Sequence, residues 1–73
     1  MAAEERHLKE IEDLLGKDDT KDLYARLKGM HDQGSSSSEL QEEVIRTTKA
    51  KDPNFKSTIA LTAAAVAIAT RNN

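Results

Sequence analysis

The fold is decided by residues 58–70, TIALTAAAVAIAT, a stretch without a charged side chain in a 73-residue sequence that is 33% charged. Six of these thirteen residues are alanine, the strongest helix former. Although β-branched residues are interspersed, the alanine content and the length of the segment favour a helix over a strand. The sequence therefore predicts an alanine-rich helix near its end.

Both sides of this predicted helix are apolar. On a helical wheel Ile59 and Val66 share one side with Phe55. Leu61 and Ile68 fall on the opposite side, and alanines fill most of the space between. A surface helix of a monomer has a polar face, so this helix is expected either at the centre of its own bundle or at an oligomer interface.

The interface arrangement predicts which residues meet the partner. The Ile59 side would pack on the protein's own helices, and the opposite side would bind a second subunit or another protein. The predicted interface residues are Leu61, Ala64, Ala65 and Ile68. Small side chains among them would allow close approach of another helix. Insertion into a membrane is disfavoured, because the apolar run is short of the ~20 residues needed to span a bilayer.

Three further helices are predicted upstream, each from apolar residues that recur at helical spacing. Gly16 is expected to close the first helix in a left-handed conformation. Ser38 and Gln41 have the spacing of a capping box that opens the third helix, and Asp52-Pro53 is expected to open the last. The predicted helices cover about residues 2–15, 19–33, 38–50 and 53–71.

These elements predict an all-α fold, a small bundle of four short helices in a single domain of residues 1–73. The chain is too short for a doubly wound sheet or a barrel. With no Cys, neither a disulfide nor a thiolate metal site can reinforce the core. The third helix has few large apolar residues, so we expect it to be the most peripheral.

The charge pattern argues against nucleic acid as a partner. The net charge is −2, and nearly every basic residue lies within four residues of an acidic one. A helix-turn-helix over residues 34–46 would present acidic side chains to phosphates, which repel them. The first residues do not have the pattern of a signal peptide. We therefore expect a cytoplasmic location without a membrane span. Secretion by a route that needs no signal peptide stays an alternative.

Two short motifs have part of the spacing of a metal site. Glu4 and His7 have the Glu-x-x-His spacing of di-iron bundles, but such a site needs a second copy of the motif and further carboxylates. Asp18, Thr20 and Asp22 have the spacing of the first calcium-loop ligands, yet the required Gly and Glu do not follow. The sequence thus predicts no metal and no cofactor.

No arrangement of residues indicates catalysis. The serine run at 35–38 is expected in a turn. His31 and Tyr24 are seven residues apart on one edge of the second helix, where they are expected to border the core with polar tips in water. We therefore predict no catalytic residue and no enzymatic activity.

The sequence-based hypothesis is a small helical module for protein–protein interaction or self-association through the alanine-rich helix. Its expected partner is either another protein or a second copy of the same chain, and in the second case the protein forms a homo-oligomer. Two alternatives stay open at this point. One is a secreted or envelope-associated self-assembling subunit, and the other is a small inhibitor or regulator that binds an enzyme or a DNA-binding protein.

Overall fold

The computed structural model describes residues 3–71, with side chains from residue 5 onward. Within this range the chain forms helices and loops without a strand, which confirms the predicted all-α bundle. The four helices are α1 (Ala3–Leu15), α2 (Lys17–Asp32), α3 (Ser37–Lys51) and α4 (Ile59–Thr70).

The alanine-rich helix α4 lies at the centre of the bundle. It packs against each of the other three helices more extensively than these pack against one another. Alanine side chains make this possible, because small residues let helix backbones approach closely. The sequence left two positions open for this helix, the centre of its own bundle or an oligomer interface, and within the described residues it lies at the centre.

The core combines large aliphatic side chains from the outer helices with small ones from α4. Its buried members are Ile11, Leu15, Leu23, Leu27, Leu40, Val44, Leu61, Ala65 and Ala69. Helix α3 contributes Leu40 and Val44, which are 2% and 0% exposed. Helix α3 packs slightly less extensively against the other helices than α1 and α2 do, and these two aliphatic residues anchor it in the core.

A single residue, Gly16, separates α1 from α2. Its φ of 87° is positive, but its ψ of 162° is extended, so it does not have the left-handed helical conformation that the sequence predicted. The Gly16 N–H donates to the Glu12 carbonyl at 2.8 Å, and the Gly16 carbonyl accepts from the Thr20 hydroxyl at 2.7 Å. Because this turn is so tight, α2 begins two residues earlier than predicted.

Two glycine substitutions are expected to change stability in opposite directions. Gly16→Ala should lower the free energy of unfolding by ~1–2 kcal/mol, because its positive φ disfavours a Cβ although no atom lies within 4 Å of one. Gly29→Ala should raise it by ~0.5–1 kcal/mol, since Gly29 is helical and equally unobstructed. Urea denaturation measures both, and destabilisation of equal size would contradict the Gly16 conformation.

Helix α3 opens with a capping box, at Ser36 and Glu39 instead of the predicted Ser38 and Gln41. The Ser36 hydroxyl accepts from the Glu39 N–H at 3.2 Å, and the Ser36 N–H donates to the Glu39 carboxylate at 2.8 Å. These hydrogen bonds lower the pKa of Glu39 below its usual value. The run of four serines therefore serves as the entry to a helix.

Helix α4 begins at Ile59, six residues later than predicted. Asp52 caps the end of α3, and its carbonyl and carboxylate oxygens accept from the Phe55 and Asn54 N–H groups, each at 3.0 Å. The N-cap of α4 is Thr58, whose hydroxyl accepts from the Leu61 N–H at 3.1 Å. Asp52-Pro53 thus forms a turn after α3 and does not open α4.

Candidate interaction surface

The structure places the predicted interface residues mostly inside the bundle. Leu61, Ala64 and Ala65 are 1%, 8% and 1% exposed, and Ile68 is half-buried. They are covered by the chain itself because the other three helices surround this side of α4. In the folded chain the side chains of Leu61, Ala64 and Ala65 thus pack inside the bundle, and their assignment to an interface stays a prediction.

The opposite side of α4 is the one left uncovered. Ile59, predicted to pack inside, is 84% exposed. The exposed alanines follow it at helical spacing, so they form one continuous stripe. We call this stripe the open face of α4, and it consists of exposed Ile59, Ala60, Ala63 and Ala67 with half-buried Val66 and Thr70.

The open face is uncharged, unlike the rest of the surface. Exposed positions of α1, α2 and α3 are mainly Lys, Arg, Asp or Glu, whereas no charged residue occurs between Lys56 and Arg71. Thr70 is the one polar residue of the open face, and its hydroxyl donates to the Val66 carbonyl at 2.8 Å. Covering this face therefore removes no charge from water and leaves no side-chain hydrogen bond unmade.

A shallow cleft of about 260 Å³ lies where α2 faces α3, and its walls carry both charge signs. Arg26 in its wall is held by Glu43 at 3.3 Å and by the Thr47 hydroxyl at 3.1 Å. The cleft is lined by Leu15, Asp19, Asp22, Arg26, Thr47, Ala50 and Lys51. It is smaller than a typical ligand pocket of ~300–1,000 Å³, and its arginine serves to join α2 to α3.

The residues that could take part in acid–base chemistry are His7 on α1 and Tyr24 and His31 on α2. The His7 Nδ1 is 3.6 Å from the Glu10 carboxylate, whereas the side chain of Glu4, its predicted companion, lies outside the described residues. Burial raises the pKa of Tyr24 to about 12, with a smaller contribution from the charge of Glu12. Tyr24 is therefore neutral at physiological pH, while His31 is exposed near the end of α2.

The described part of the chain has neither a metal-binding cluster nor a membrane-spanning helix. There, no three His, Asp or Glu side chains come together in a way that could hold a metal ion. Nor does any helix between residues 3 and 71 have the length and apolarity needed to cross a membrane. The open face of α4 is thus the surface feature that most needs a functional explanation.

Comparison of the chain with protein-family models, with curated proteins and with solved structures found no match. A function for the open face must therefore be argued from its own residues. The sequence could not indicate which side of α4 is buried, because a helix that is apolar all round has no period from which the buried side can be found. The other feature that the sequence analysis did not find is Thr58 as the N-cap of α4.

Proposed function

We propose that this protein is a small non-enzymatic interaction module that binds another protein or a second copy of itself through the open face of α4. The observation that carries the proposal is an uncharged, exposed side on the central helix of a bundle whose other helices present charges to water. An apolar surface of this kind is typical of a contact with another macromolecule.

The residues of the open face suit a helix as the binding element. Burying Ile59 fully would contribute ~1.5–3 kcal/mol. Ala60, Ala63 and Ala67 have little side chain to bury, but they allow the backbone of a second helix to come close. Both features favour a partner helix that packs along α4 through small side chains of its own.

The size of the open face limits the strength of such a complex. Helix α4 has twelve residues, so it is ~18 Å long. A standard interface buries ~800 Å² on each partner, which is more than one short helix face provides. We therefore expect a weak or transient complex, or one in which neighbouring parts of the bundle also take part.

A site-specific photo-crosslinker tests this proposal. We expect a benzophenone side chain at Ala63 to crosslink to a second copy or to another protein in the native lysate. The matched control is the same group at Ala25, an exposed alanine of α2. Crosslinks of equal yield from both positions, or none from Ala63, would contradict a binding role for the open face.

A further inference from the structure

Two helix starts follow one another between α3 and α4. At the first, the Asp52 carboxylate accepts from the Asn54 N–H and the Asp52 carbonyl accepts from the Phe55 N–H, each at 3.0 Å. Asp52 is extended and Pro53 follows it, as is typical of an N-cap and the first residue of a helix. The second start is at Thr58, which caps α4. The first turn of a longer α4 has thus already formed at Asp52.

Residues 53–57, which we call the strap, are held outside the helix by contacts with the rest of the bundle. The Ser57 hydroxyl lies 2.8 Å from the hydroxyl of Thr48, a buried residue of α3. The Phe55 ring packs against the core and is half-buried. These contacts oppose the continuation of the turn at Asp52 into α4.

We propose that the strap is a conformational switch: when it leaves α3, α4 extends back to Pro53 and carries Phe55 from the core to the open face. Forming the first turn is the costly step in making a helix, and the turn at Asp52 already provides it. The inference rests on the proposed function in one respect, since it gives the open face a second state that a partner can favour.

The backbone of the extended helix keeps its hydrogen bonds. The Leu61 N–H now donates to the Thr58 hydroxyl at 3.1 Å, and in the longer helix it would donate to the Ser57 carbonyl. Asp52 would then be the N-cap. The link between α3 and α4 would shorten to this one residue, and Gly16 shows that one residue is enough to join two helices of this bundle.

Extension would change the open face because of where Phe55 stands in the sequence. It precedes Ile59 by four residues, so in a continuous helix it lies one turn away on the same side. In the free protein this position would expose the ring to water, which favours the strap. A partner that covers the open face would bury Phe55 together with Ile59, which favours the extended helix. The small side chains of the open face would thereby gain an aromatic anchor.

NMR spectroscopy of variants that release the strap tests the switch. Ser57→Ala removes the strap's hydroxyl and raises its helix propensity, and Thr48→Val breaks the same contact from the side of α3. In both variants the Cα chemical shifts of residues 54–58 should move toward helical values. The Phe55 ring should also gain nuclear Overhauser effects to Ile59.

Two controls separate extension of α4 from general loosening of the bundle. Ser35→Ala removes an equally half-buried serine from the loop before α3, and it should leave the shifts of residues 54–58 unchanged. Lys56→Gly added to Ser57→Ala should move these shifts back, because glycine disfavours a helix interior and Lys56 is exposed. Far-UV circular dichroism checks that each variant is folded.

Unchanged shifts of residues 54–58 in both Ser57→Ala and Thr48→Val would overturn the switch. The photo-crosslink yield from Ala63 should rise in Ser57→Ala in proportion to the population of the extended helix. Crosslinking from Ala63 with a strap that stays non-helical in both variants would contradict this inference alone. A helical strap without any crosslink from Ala63 would contradict the proposed function and support the switch.

Discussion

Leu61→Glu is expected to unfold the protein, whereas Ile59→Glu, two residues earlier in the same turn, should leave the fold intact. Leu61 is 1% exposed, so the substitution removes an aliphatic core contact and places a carboxylate where nothing pairs with it. The expected loss is ~4 kcal/mol or more. A domain of this size has a total stability of only ~4–11 kcal/mol, so most of the helical structure should be lost at neutral pH.

Ile59→Glu is the matched control for this prediction. Ile59 is 84% exposed and opens α4, where a negative charge interacts favourably with the helix dipole. The Ile59→Glu substitution should therefore change the free energy of unfolding of the protein by no more than ~0.5 kcal/mol. Far-UV circular dichroism and urea denaturation distinguish the two variants. A folded Leu61→Glu protein with unchanged helix content would show that α4 is turned the other way, with Leu61 toward a partner.

The positions of the outer helices could be predicted because their patterns are amphipathic. In α1, Ile11 and Leu15 recur at helical spacing among charged residues, and both are buried as this spacing requires. The pattern also places the charged residues between them toward water. For such helices the sequence determines both the element and the side that faces the core.

The orientation of α4 could not be predicted in the same way. Ile59 and Leu61 are similar in hydrophobicity, and nothing in their immediate neighbours marks one as exposed and the other as buried. Long-range packing decides between them, because three helices must fit around one side of α4 and the small Ala64 and Ala65 lie on that side. The structure therefore buries the side of α4 that was predicted to meet a partner and exposes Ile59, which was predicted to pack inside.

The helix boundaries were hard to predict because several neighbouring residues are equally suitable as helix caps. Four consecutive serines offer several N-caps, and the box forms at Ser36 because Glu39 is three residues away. Pro53 and Thr58 are both suitable near a helix start. The hydroxyls of Ser57 and Thr48 lie 2.8 Å apart, which ties the residues before Thr58 to α3 and leaves Thr58 to cap α4. Such a contact joins residues from two elements and is absent from any local pattern.

Ala65→Leu is expected to destabilise the protein by ~1–3 kcal/mol or more, although leucine is a good helix former and more hydrophobic than alanine. Ala65 is 1% exposed and belongs to the core cluster of the helix that all three others contact. A larger side chain there must push a neighbouring helix outward. Thermal and urea denaturation measure the loss.

The same substitution at Ala60, an exposed residue of the same helix, separates packing from helix propensity. Ala60→Leu should change the free energy of unfolding by no more than ~0.5 kcal/mol, because its side chain extends into water and propensity is almost unchanged. Equal effects at the two positions would mean that the alanines of α4 serve only to favour a helix. A much larger loss of stability at Ala65 than at Ala60 would mean that the buried alanines determine how closely the other three helices approach α4. The exposed alanines would then be free to let another molecule approach α4 equally closely.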